Sequence, residues 1–226
     1  MVRIRPKDPD LIKKLMDLNK PYFTVADFEK ILGLKKKTLY VTLNRLTKSG
    51  ILTRLKKNVY MVFTGGYDEE KIANEIYYPS YLSFEKALSN YGILSQIPFT
   101  LTFATLRPSK KLTIANTEVE YSHLKKSLFF GYEVKNEKYI ALPEKALLDE
   151  LYLVSRGLRN VNIEELDLRE INKEKLEEFA KKFPSYMEEL LNKVKKYIGT
   201  TPVTNETKER IVWKKNYTGG RTSLED

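Results

Sequence analysis

The chain has 226 residues and not one cysteine. Disulfides and thiolate metal sites are thereby excluded. It has a single histidine, His123, so a zinc site built from several Cys and His ligands is excluded as well. No run of eighteen apolar residues occurs, and no membrane-spanning helix is expected. The opening "MVRIRPKDPD" lacks the apolar core of a secretory leader. Together these absences point to the cytoplasm. The glycines stand singly or in isolated pairs, without the spacing of a phosphate-cradling loop. What is plentiful is apolar: 42% of residues, with 12% aromatic. That suffices for a real core, and the length suits two small domains.

One absence is local. Residues 35–57 hold eight Lys/Arg and no Asp or Glu. Residues 1–66 hold 15 Lys/Arg against 5 Asp/Glu, a net of +10, while residues 67–226 hold 25 of each. The entire excess of the chain lies in its first third. A one-sign block beside a balanced remainder suits a polyanion-binding surface.

The pattern around that block is specific. "PDLIKKLMDLN" (9–19) reads as a helix with Leu11, Leu15 and Leu18 on one face. "TVADFEKILGL" (24–34) offers Thr24 as N-cap, Asp27 to complete a capping box, and Gly33 for the left-handed stop. A third helix over "KKKTLYVTLNRLTKSG" (35–50) would bury Leu39, Leu43 and Leu46. Its other face carries Lys37, Val41, Asn44 and Lys48, flanked by Tyr40 and Arg45, with Lys35, Lys36 and Thr38 at its start. Asn pairs bidentately with adenine, and an apolar side chain meets a thymine methyl. "ILTRL" and "VYMVF" then suit two strands joined by a turn at Asn58, a wing bearing Arg54, Lys56 and Lys57. Order, spacing and charge predict a winged helix-turn-helix that binds double-stranded DNA. A solvated basic face and a double-stranded RNA ligand are the competing readings.

From residue 67 the pattern mixes helix and strand. Helices are expected at 68–77, at "SFEKALSNYG" with Ser83 as N-cap, and at "PEKALLDELYLVSR" (143–156) with Pro143 in its first turn. Further helices fall on either side of Pro184, with strands between residues 99 and 142. The fold class is α+β: an N-terminal winged helix-turn-helix (1–66), a mixed domain (67–199) with a small, mostly antiparallel sheet and C-terminal helices, and a tail (200–226) without clear period.

Catalytic groups are scarce. Ser83 and Lys86 match a Ser-x-x-Lys pair, but its companion motifs are missing and a cap explains Ser83 better. Glu133 and Lys135 on one strand, with Glu118 or Glu120 on another, would serve a metal-dependent nuclease. Alternating charge equally describes the solvent face of a sheet. A ligand-sensing transcription factor is the third class, and would show an apolar pocket within residues 67–160. The expectation is no enzyme, no catalytic residues, no metal and no cofactor.

Two segments carry a likeness. "PSYLSFEKALSNYGILSQIPFTLTFAT" and "YIALPEKALLDELY", placed after a winged helix, resemble the AbiEi family of antitoxins over about residues 22–155. Ser83, Gln96, Pro98, Glu144 and Lys145 fall on the motif positions of the antitoxin domain, with Lys145 expected at the surface. The resemblance implies a repressor of its own operon that binds inverted repeats, which would place two copies on DNA as a dimer. It also implies an antitoxin against a nucleotidyltransferase-like toxin. Some relatives are plain regulators.

Overall fold

The computed structural model describes residues 8–62 and 68–199. The expected boundary at Gly65–Gly66 and the tail from residue 200 lie outside the described residues. Backbone packing groups the chain into two units. Of the described residues, one unit runs up to Leu82 and resumes at Phe99–Ile140; the other comprises Ser83–Pro98 and residues 141–199.

The first unit begins with α1 (Asp8–Asp17), β1 (Phe23–Thr24), α2 (Val25–Leu32) and α3 (Lys36–Lys48). The capping box that starts α2 is formed in both directions. Thr24 Oγ1 accepts from the Asp27 amide at 3.2 Å, and the Asp27 carboxylate accepts from the Thr24 amide at 2.8 Å. Burial works to raise the Asp27 pKa, but these bonds and Lys20 outweigh it and hold the carboxyl at about 2. Gly33 closes α2 at φ 63°, the left-handed conformation expected of it. Leu39, Leu43 and Leu46 of α3 are fully buried. Leu18, expected on the inner face of α1, is 46% exposed. The helix stops at Asp17, and half-buried Leu11 and Ile12 pack beside Leu15 in its place.

The strands β2 (Leu52–Lys56) and β3 (Val59–Val62) form the predicted antiparallel hairpin, with β1 on its far side in the order β1-β3-β2. Asn58 takes φ 64° at the turn, as its short polar side chain allows. Both faces of this hairpin are buried. Leu52 and Tyr60 pack on the helices with Leu15, Phe28 and Leu43. Leu55, Val59 and Met61 point the other way, into a cluster with Ile72, Tyr77, Phe103 and Tyr121. The boundary expected at residue 66 therefore cuts through one hydrophobic cluster.

That second cluster belongs to α4 (Glu69–Ile76) and a six-stranded sheet. Its strands are β4 (Ser80–Leu82), β5 (Leu101–Thr105), β6 (Lys110–Ile114), β7 (Thr117–His123), β8 (Tyr132–Lys135) and β9 (Lys138–Ala141), in the order β6-β7-β5-β4-β9-β8. The β4–β5 and β6–β7 pairs are antiparallel; the β4–β9 and β5–β7 pairs are parallel. Two- and three-residue strands such as β1 and β4 are too short to leave a period in the sequence.

The second unit is helical: α5 (Phe84–Asn90), α6 (Pro143–Ser155), α7 (Lys173–Ala180) and α8 (Glu188–Lys195). All ten residues from Glu144 to Leu153 are buried. Two expectations are corrected here. Ser83 precedes α5 but makes no capping bond; its hydroxyl donates instead to Asp149 Oδ2 at 2.8 Å. Lys145 is not at the surface. It has no exposed area and is paired with Asp149, one turn further along α6. The chain as a whole is α+β, as its pattern predicted.

Candidate nucleic-acid interface

The face of α3 opposite its three leucines is open. Lys35, Lys36, Lys37, Thr38, Asn44 and Lys48 are exposed, and Val41 is 68% exposed among them. The start of the helix has no side-chain cap and no acid in its first turn. Three lysines there oppose the helix dipole, an arrangement that an external anion would relieve. Tyr40, 44% exposed, reaches the hairpin turn, its hydroxyl donating to Asn58 Oδ1 at 3.4 Å. The open face of α3 thus adjoins the hairpin, where Arg54 and Lys57 are exposed and Lys56 is half-buried.

Arg45 stands apart from the other expected residues. Its guanidinium holds Asp8 with two bonds of 2.7 Å, tying α3 to α1. This fork-on-carboxylate geometry is strong, and Asp8 raises the Arg45 pKa further. Sequence spacing could not show it, because the partners are 37 residues apart.

The structure adds two cations. Lys56 lies below its usual pKa through burial and through the nearby charges of Lys110 and Arg107. The latter two lie at the end of β5 and the start of β6. They escaped sequence reasoning because their segment is electrically balanced.

The motif residues of the second unit fall in two places. Ser83, Lys145 and Asp149 meet in one buried group, with the Lys145 ammonium 5.2 Å from the Phe183 ring centre. Burial lowers the Lys145 pKa and Asp149 opposes that shift. Glu144 caps α7 from outside, its Oε1 accepting from the Asn172 amide at 3.1 Å. Arg159 pairs with Glu85 and with Glu150, and burial brings its pKa down to about 10. Gln96 is exposed and Pro98 half-buried, in a stretch without regular structure.

The residues weighed for catalysis do not assemble. Glu133 lies on β8, whereas Glu118 and Glu120 lie on β7, with β5, β4 and β9 between. Four strand spacings of ~4.8 Å put the two groups roughly 19 Å apart, beyond the reach of one metal ion. Among the described residues no cluster of three potential metal ligands occurs. His123 is exposed, its Nδ1 3.1 Å from the Arg107 carbonyl. No described helix is long and apolar enough to cross a membrane. An open cavity of ≈ 280 Å³ lies between α1, β3 and α4. Its charged lining residues Lys20, Asp68 and Lys71 are already paired with Asp27, Lys138 and Glu137. It is therefore poorly equipped to greet a polar ligand.

Comparison with known protein families gives a match over the N-terminal part of the chain. Residues 10–62 match the family profile described as "Transcriptional regulator, AbiEi antitoxin". No curated protein matches the chain. The matched segment covers α1 through β3, whereas the likeness read from the sequence leaned on Tyr81–Asp149. Over residues 10–62, which hold the open face of α3 and the hairpin beside it, the chain is similar to the AbiEi antitoxin family of transcriptional regulators.

Proposed function

We propose that the protein represses its own promoter by binding duplex DNA through α3 and the β2–β3 hairpin, and that it is the antitoxin to a nucleotidyltransferase-like toxin. One observation carries the DNA half: the open face of α3 sets an amide and an apolar side chain among cations, against the hairpin turn. In a major groove Asn44 would read adenine and Val41 a thymine methyl. Lys35, Lys36, Lys37 and Lys48 would meet phosphates, as would Arg54, Lys56 and Lys57 of the hairpin. Residues 1–66 act as the reader and residues 67–199 as the antitoxin part. The antitoxin half is supported by the family description of residues 10–62 and by the motif likeness around Ser83 and Lys145.

The test is a binding titration on the protein's own promoter and on a scrambled duplex over a range of salt. If two copies contact about eight phosphates, log K falls against log salt with a slope near ~ −7. Asn44→Ala and Lys37→Ala each cost roughly 1–3 kcal/mol, chiefly on the promoter. Lys56→Ala weakens both duplexes alike. Equal affinity of the unaltered protein for both duplexes, at every salt concentration, overturns the repressor reading.

A further inference from the structure

The hairpin is not the end of the basic surface. Leu55 O accepts from the Ala115 amide at 3.0 Å, which ties β2 to the turn that follows β6. Leu55 also shares a buried cluster with Tyr77, and Lys56, the next residue, is near enough to the start of β6 to feel the charges of Lys110 and Arg107. There the Arg107 guanidinium sits 4.5 Å over the Tyr77 ring centre, and the Lys110 ammonium lies 5.6 Å from the same ring. Tyr77 is buried, and its hydroxyl donates to the Pro108 carbonyl at 2.9 Å. One fixed aromatic ring thus holds both cations and the backbone between them. Arg107 and Lys110 are both exposed.

The next lysine gives a contrast. Lys111 is paired with Glu120 at 2.9 Å, whereas among the described residues no carboxylate pairs with Lys56, Arg107 or Lys110. Their charges are close enough to depress the Lys56 pKa. Three like charges held close together are unfavourable in the free protein. A polyanion laid across them removes that repulsion and releases its own counter-ions. Cations already fixed on a ring lose little further freedom on binding. The patch is also continuous with the reader, since Tyr40 of α3 touches Asn58, two residues from Lys56.

We infer that the phosphate-binding surface continues past the hairpin onto the β5–β6 connection, where Lys56, Arg107 and Lys110 grip the duplex backbone flanking the segment read by α3. This rests on the reading of α3 as the groove helix.

The experiment uses the full chain and a promoter duplex with long flanks. Arg107→Gln/Lys110→Gln is compared with the charge-keeping Arg107→Lys/Lys110→Arg, each first checked for an unchanged melting temperature. Loss of two phosphate contacts should make the salt slope shallower by about 1.8 per bound chain. Preference for the promoter over the scrambled duplex should not change, and the charge-keeping pair should retain the full slope. Trimming the flanks should bring the unaltered protein down to the doubly neutral variant. Lys110→Gln alone, at an exposed position, should give half the change and serves where the double variant fails to fold. An unchanged slope in a folded neutral variant overturns the inference. If the unaltered protein shows no promoter preference, but its slope still falls in the neutral variant, the backbone grip stands and the repressor reading fails.

Discussion

Lys145 shows what one side chain demands once a fold encloses it. A lone buried ammonium is strongly disfavoured, yet Lys145 has no exposed surface. Asp149 supplies the countercharge from the next turn, and Ser83 donates to the same carboxylate. Lys145→Met removes the cation from a buried pair and should destabilise the protein by about 3–5 kcal/mol. Lys145→Met/Asp149→Asn should recover most of that loss, because no charge is left stranded. Urea unfolding of the three proteins measures both effects, and a single variant as stable as the original would show the pair to be dispensable. The four-residue spacing of Lys145 and Asp149 is visible in the sequence as a helical ion pair. Its burial is not, since charged residues along a helix ordinarily mark a solvated face. Ser83 was misread for a related reason: a serine before a helix is usually its cap, and only the packed chain offered its hydroxyl a carboxylate.

Among the elements, the β2–β3 hairpin has a double duty. Its outer role is to carry Arg54, Lys56 and Lys57. Its inner role is to supply Leu55, Val59 and Met61 to the cluster around Ile72, Phe103 and Tyr121. Burial of each such side chain contributes about 1.5–3 kcal/mol, so the three together approach the ~5–15 kcal/mol stability of a whole domain. A fragment beginning at residue 67 should consequently lack a cooperative thermal transition, and Met61→Ala in the full chain should cost about 2–5 kcal/mol. Circular dichroism melts test both; a fragment that unfolds sharply at the temperature of the full chain would refute the shared core. The hairpin itself was legible from its two β-rich runs and Asn58. The unbroken apolar run "VYMV" is also the mark of a strand covered on both sides, although it does not say by what.

At the scale of the whole molecule, charge and packing divide the chain differently. Net charge changes at about residue 66, but the first packed unit extends through the six-stranded sheet. The proposed DNA-reading face can thus be altered without touching a core, because Asn44 and Lys37 are exposed. Under the proposed antitoxin role, the full chain bearing Asn44→Ala should lose promoter binding and still restore growth to cells expressing the partner toxin. Growth arrest despite normal levels of the variant would mean that neutralisation needs the bound promoter. The balance of charge beyond residue 66 also hid Arg107 and Lys110. A count along the chain averages them with the acids of β7, whereas the fold pairs Lys111 with Glu120 and leaves its neighbour beside Lys56.

The sequence by itself determined the local features of this protein. Thr24 with Asp27, Gly33, the leucine spacing of α3 and the turn at Asn58 depend on bonds and periods that span a few residues. So does the segregation of cations onto one face of a helix. Tertiary structure decided whatever depends on neighbours distant in the chain. It committed Arg45 to Asp8, withdrew Ser83 and Lys145 into a core, separated Glu133 from Glu118 and Glu120, and brought Arg107 and Lys110 to the hairpin. The reason is physical: caps, turns and amphipathic faces arise from short-range backbone geometry, while burial and the company of charges are set only when strands find their order in a sheet.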